Sequence, residues 1–182
     1  RLVTDGPDKP WLDLLVRDAQ RLLVVGAYGL ALHSDDGGRT WSAWTPRLPN
    51  PKGLHLYAAR QHGATVLLAG EQGLAMLSHD EGRTFRRLET PYKGSWFAAD
   101  LASAQEIVLA GLRGTVLRSP DGGDSWTPLA TPMRANITAL ARDGRGRLLA
   151  VSQAGFVLGR DGERLVPLHG QPLPPPTALL AT

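Results

Sequence analysis

The chain has no cysteine, so disulfides and thiolate metal sites are excluded. The compartment is not decided by this, because cytosolic and exported proteins alike can dispense with thiols. Lysine is scarce, with only Lys9, Lys52 and Lys93. The other basic residues are arginines without a run of five or more, which leaves no nucleic-acid footprint. No apolar run approaches the roughly 18 residues of a membrane-spanning helix, and no direct membrane insertion is expected. No signal-peptide pattern occurs in these 182 residues. Because the first residue is Arg1 rather than methionine, removal of a targeting segment is left open. The histidines His33, His55, His62, His79 and His169 show neither H-x-x-x-H nor H-E-x-x-H spacing. There is no G-x-S-x-G elbow and no P-loop. Neither a metal nor a cofactor is expected.

What the chain does have is turn chemistry. It holds 21 glycines and 14 prolines among 42% hydrophobic and 20% charged residues, the balance of a packed chain of short strands. The net charge is +3, carried by arginines whose planar forks suit carboxylates and phosphates.

The turns recur. Residues 26–41 read GAYGLALHSDDGGRTW, 70–85 read GEQGLAMLSHDEGRTF, and 111–126 read GLRGTVLRSPDGGDSW. A worn fourth copy, 152–166, reads SQAGFVLGRDGERLV. Asp36, Asp80, Asp121 and Asp161 follow one another at intervals of 44, 41 and 40 residues. Each copy is preceded by two strand-like stretches and contains or is followed by two more. The first lie at 11–16, 54–59, 96–101 and 137–141; the second, at 22–25, 66–69, 107–110 and 148–151, are apolar throughout. Four short strands per repeat of about 40 residues describe a β-propeller blade. A helical repeat would show a 3.6-residue apolar period, and none is seen. The reading is an all-β chain with antiparallel four-stranded blades at 11–46, 54–91, 96–132 and 136–170. Residues 176–182 read as the start of a fifth blade, so the four are expected to belong to a ring of about six to eight. A closed four-bladed ring and a pair of half-rings are the alternatives.

Three copies match S-x-D-x-G-x-[ST]-[WF]: Ser34, Asp36, Gly38, Thr40, Trp41; Ser78, Asp80, Gly82, Thr84, Phe85; and Ser119, Asp121, Gly123, Ser125, Trp126. Three matches in register are specific where one is not. The pattern reads as a structural hairpin: the aspartate accepts backbone N–H bonds, the hydroxyls satisfy further groups, and glycine supplies positive φ. The aromatic residue is expected to bury surface between blades, at a cost of roughly 3–5 kcal/mol for truncating Trp41 or Trp126. The D-x-[DN]-x-[DN]-G spacing of calcium loops is not met. In the fourth copy Gly159 stands for the serine, Glu163 for the glycine, Leu165 for the hydroxyl residue and Val166 for the aromatic. A looser hairpin is expected there.

On these residues the chain resembles the Asp-box (BNR-repeat) propellers, and within them the photosystem II stability/assembly factor-like family. The blade pattern of that family, roughly G-x-x-G-x-[IV]-x-x-S-x-D-G-G-x-[TS]-W, is followed almost throughout by 111–126, and the likeness spans 12–168. The resemblance implies a non-enzymatic propeller in the thylakoid lumen or bacterial periplasm. It also implies a protein client, a membrane protein or membrane-associated complex, during assembly. Asp-boxes occur in carbohydrate-active proteins too, so a sialidase-like hydrolase or a lectin is the alternative. That reading needs a carboxylate pair or a Tyr–Arg cluster on the axial loops. The tyrosines are Tyr28, Tyr57 and Tyr92; the five glutamates include Glu81 and Glu163 in hairpin turns. In a propeller the loops between second and third strands converge on one face. Tyr28, Gln72 and Arg113 hold one repeat position there and are the candidate partner contacts. The run Pro172-Leu173-Pro174-Pro175-Pro176 reads as a stiff link to the next blade.

Overall fold

A computed structural model describes residues 9–173. Apolar segments bounded by glycine, proline and aspartate pair with their neighbours into four antiparallel sheets, each in chain order. The first blade is β1 (Trp11–Val16), β2 (Leu22–Gly26), β3 (Ala31–Ser34) and β4 (Ser42–Ala43). The second is β5 (Leu56–His62), β6 (Thr65–Gly70), β7 (Ala75–Ser78) and β8 (Arg86–Arg87). The third is β9 (Trp96–Leu101), β10 (Ile107–Gly111), β11 (Val116–Ser119) and β12 (Thr127–Pro128). The fourth is β13 (Ile137–Arg142), β14 (Leu148–Ser152), β15 (Val157–Asp161) and β16 (Arg164–Pro167). First strands of successive blades lie against one another, and the fourth strands lie outermost. The described blades form an open arc of a propeller. Residues 176–182 lie outside the described residues.

One strand starts later than its sequence suggests. Leu54 is held in the connector, where its N–H donates to Asn50 Oδ1 at 3.0 Å and its carbonyl accepts from Asn50 Nδ2 at 2.9 Å. Pairing therefore begins at Leu56.

The second strands of the two inner blades, β6 and β10, are buried throughout because both of their faces are covered by neighbouring sheets. Three apolar clusters fill the three seams. Leu23, Val25 and Trp44 of the first blade meet Leu56, Val66, Leu68 and Met76 of the second. Leu67, Leu77 and Leu88 meet Trp96, Ile107 and Leu109. Val108, Val116 and Leu129 meet Ile137, Leu140 and Leu158. The residue after the short outer strands β4 and β8 seats on the next blade's box glycine. A Cβ at Gly82 would collide with the Trp44 ring, and one at Gly123 would press on Leu88. The box glycines are thus sockets as well as turn formers, with φ of 84° and 94°.

The box aromatics face backwards along the chain. Phe85 packs into the seam with the first blade and Trp126 into the seam with the second. Trp41 was expected in a core and is instead 38% exposed, because no described blade precedes its own. Trp11, Leu14 and Val16 on β1 are exposed on the same blade.

The fourth hairpin corrects another expectation. It is tighter than the other three, not looser. Leu158 pairs with Pro167 where Leu117 pairs with Pro128, so the excursion is two residues shorter. The strands stay paired down to Asp161 and Arg164 around a two-residue turn, Gly162-Glu163. The register also places Arg160, not Gly159, opposite the serine position. This turn is tied to the preceding blade through backbone: Ala130 N–H donates to Glu163 O at 2.9 Å and Leu165 N–H to Ala130 O at 2.8 Å.

Candidate functional site

The two ends of the blades differ in chemistry. At one end lie the hairpins joining first to second and third to fourth strands, with the Asp-boxes. Ser34 Oγ accepts from Gly38 N–H at 2.8 Å and donates to Asp36 Oδ1 at 2.9 Å. Asp36 in turn accepts from Thr40 N–H at 2.8 Å and from Thr40 Oγ1 at 2.6 Å. Ser78, Asp80, Gly82 and Thr84 repeat this set, with Gly82 N–H at 2.8 Å from Ser78 Oγ and Thr84 N–H at 2.9 Å from Asp80 Oδ1. Ser119, Asp121, Gly123 and Ser125 do so with 2.7 and 2.9 Å. Donors gathered on an anion favour its charged form. The side-chain and backbone bonds of Thr40 and Ser125 pull Asp36 and Asp121 down to about 2, and those of Thr84 pull Asp80 lower still.

Ion pairs occupy the same end. Glu106 bonds Arg118 at 2.7 Å and lies near Arg142 and Arg160 across the seam, while Arg142 bonds Asp100 at 2.7 Å. The Arg118 hydrogen bond holds Glu106 below its ordinary range. Between the first two blades, His33 and Trp44 replace the buried pair Leu77 and Leu88 of the following seam. Their rings stack at 4.7 Å beside a 240 Å³ pocket that includes Arg17, Arg47 and Glu81. Burial pulls His33 below its usual pKa.

At the opposite end lie the loops between second and third strands and the connectors between blades. In three blades this loop is a three-residue 3-10 turn: Ala27–Gly29, Glu71–Gly73 and Leu112–Gly114. The close fit explains the glycine before each one. A Cβ at Gly26, Gly70 or Gly111 would collide with the carbonyl of Pro10, His55 or Ser95. The turn's first N–H bonds that same carbonyl. The middle residues, Tyr28, Gln72 and Arg113, have φ of 56°, 53° and 56°, the left-handed region that non-glycine residues seldom enter. All three are exposed, Tyr28 by 60%.

The geometry brings these three to one rim on successive blades. It brings Tyr28 to residues that sequence reasoning did not single out. The Tyr28 ring lies 4.9 Å from His55 at 56°, His55 lies 6.2 Å from Tyr57 at 51°, and Tyr57 lies 5.5 Å from Phe97 at 63°. Tyr57 and Phe97 stand where β5 and β9 each carry a register break, as do Leu12 in β1 and Thr138 in β13. A bulge leaves one residue unpaired and re-aims its side chain. No single repeat signals this row, because it spans three blades.

Among the described residues no group of three or more His, Cys, Asp or Glu could hold a metal ion, and no helix is long and apolar enough to cross a membrane. Hydrogen bonds from neighbouring N–H and side-chain donors hold Asp18, Asp36, Asp80, Glu106, Asp121 and Asp143 below the ordinary carboxylate range.

Four-stranded blades stapled by Asp-boxes, with a second face of strained and exposed loop residues, define an Asp-box β-propeller. The family model described as photosynthesis system II assembly factor YCF48 matches residues 5–165, and the chain belongs to that family. It is similar to a structure titled "YCF48 bound to D1 peptide" (20% identity, TM-score 0.73), covering 90% of this chain and 54% of that one. YCF48 from Cyanidioschyzon merolae is similar at 16% identity and TM-score 0.71, covering 95% of this chain and 60% of that one. An ancestral GH74 enzyme shares the fold at 13% identity and TM-score 0.71, covering 88% of this chain and 24% of that one. At such identities the likeness is one of fold. The chain spans somewhat over half the length of the two YCF48 structures. No curated protein sequence matches it.

Proposed function

We propose that the chain is the blade-bearing part of a non-enzymatic scaffold whose loop rim holds a protein client, a membrane protein or membrane-associated complex undergoing assembly. The observation that carries this is the set Tyr28, Gln72 and Arg113. Three exposed side chains of unlike chemistry occupy one strained backbone position on successive blades. A fold that needed only the turn would place glycine there, and strain kept at exposed positions points to function. The family assignment and the solved YCF48 bound to a D1 peptide support a peptide-bearing client. On the same family likeness, the working compartment is lumenal or periplasmic, and the four blades are part of a larger ring.

A glycosidase reading has less to stand on. The GH74 likeness covers 24% of that chain at 13% identity and is one of fold alone. The discriminating experiment is crosslinking of the tagged protein in its native host, followed by mass spectrometry, with a glycan array in parallel. Enrichment of one integral membrane protein, lost in a Tyr28→Gly/Arg113→Gly variant, is the expected result. Retention on glycans with no protein captured would overturn the proposal.

A further inference from the structure

We infer that the loop rim reads an extended peptide carrying apolar side chains interspersed with Asp or Glu. This deepens the client reading above and rests on it. The row Tyr28, His55, Tyr57 and Phe97 crosses three blades, with successive rings 4.9, 6.2 and 5.5 Å apart. Neighbouring rings are inclined by 51–63°, so the row offers notches between faces and edges rather than one flat surface. Sugar rings stack on flat, open aromatic platforms. Tilted rings instead accept branched or aromatic side chains in face-to-edge contact. The backbone that carries the row is fixed: His55 N–H donates to Glu71 Oε2 at 3.2 Å, and Tyr28 stands in a tight turn.

The backbone geometry excludes a competing mode. A peptide that added as a further strand would need a regular free edge on β5 or β9, and both are broken at Tyr57 and Phe97. Recognition then falls to side chains. Charge completes the description of the partner. Lys52, Lys93, Arg113 and Arg134 lie in these loops and connectors, and none makes an ion pair within 4.0 Å among the described residues. At the hairpin end Arg21, Arg118, Arg142 and Arg147 each hold a carboxylate, while Arg39, Arg83 and Arg145 there make no ion pair among the described residues. Among the described residues the carboxylates of the loop end are Glu71, engaged by His55 N–H, and Glu89. Free cations beside an apolar row fit a partner with acidic side chains next to apolar ones.

The test selects a phage-displayed random dodecapeptide library on the immobilised protein and measures the synthesised consensus peptide by fluorescence anisotropy. The expected consensus is rich in Phe, Tyr, Leu or Ile together with Asp or Glu. Its Kd should weaken about tenfold in Tyr28→Gly and in Phe97→Ala, as an interface anchor does. Arg113→Glu should weaken it similarly, added salt should weaken it in the wild type, and His79→Ala at the far end should leave it unchanged. Tyr28→Gly relieves a left-handed tyrosine, so it keeps the fold, and a melting curve checks this. A consensus without acidic and apolar enrichment, or rim variants within about twofold of wild type, overturns this inference; if the consensus peptide still binds, the client reading survives. No selectable peptide, with retention on a glycan array instead, overturns both.

Discussion

The first three blades and the fourth close the same hairpin by different means. In the first three, a serine and an aspartate gather the turn's N–H groups onto side chains, as with Ser78 and Asp80 around Gly82 and Thr84. The loop is long enough to leave a glycine socket, and the preceding blade fills it with Trp44 or Leu88. In the fourth, the loop is two residues shorter, and pairing runs to its tip. The seam is stitched by backbone bonds between Ala130 and the 163–165 segment. The Asp-box is therefore a device for holding a longer turn against the neighbouring blade. Where the turn shortens, strand pairing does the work and the motif can decay without loosening the blade.

This contrast can be broken at graded cost. Trp44→Ala should be the most damaging change. Its side chain is 2% exposed and fills the Gly82 socket, so a loss of about 3–5 kcal/mol in chemical denaturation is expected. Ser78→Ala should cost about 1–3 kcal/mol, because its buried hydroxyl satisfies two backbone N–H groups. Acid should act on the first three hairpins together. The box carboxyls titrate near 2 or below when folded and near ~4 when unfolded. Their contribution is present above ~4 and is lost as pH falls towards 2, so melting temperature should drop across that window. An Asp36→Asn/Asp80→Asn/Asp121→Asn variant should show a flatter drop, since it has no box carboxylate left to protonate. Asp161→Ala should be the mildest change, within about 0.5 kcal/mol of wild type, because Asp161 is exposed and Arg160 takes the serine position of its hairpin. A large loss there would mean that the fourth box still works as the others do.

The blade architecture was legible in the sequence because its signals are periodic: one apolar second strand and one S-x-D-x-G turn in each repeat. The fourth hairpin was misread for a reason in the same logic. Matching Asp161 to the box aspartates hides the two-residue shortening, which strand register reveals. Trp41 was misread because burial of a box aromatic is supplied by the preceding blade and not by its own. At the loop end, Tyr28, Gln72 and Arg113 could be picked out because each precedes a loop glycine at one repeat position. His55, Tyr57 and Phe97 could not: Tyr57 and Phe97 share one repeat position, but Leu12 and Thr138 hold it in the other blades, so no repeated aromatic marks it. Their meeting depends on bulges in β5 and β9 that no local residue choice announces.

The central claim is a division of labour: the hairpin end folds the blades and the loop end meets the client. A photo-crosslinking amino acid placed at Gln72 or at His79 in the tagged protein, irradiated in the native host, tests it most directly. Both positions are exposed turns of the second blade, at opposite ends. The account predicts a discrete protein adduct from position 72 and none from position 79. Equal adducts from both, or an adduct from 79 alone, would contradict it.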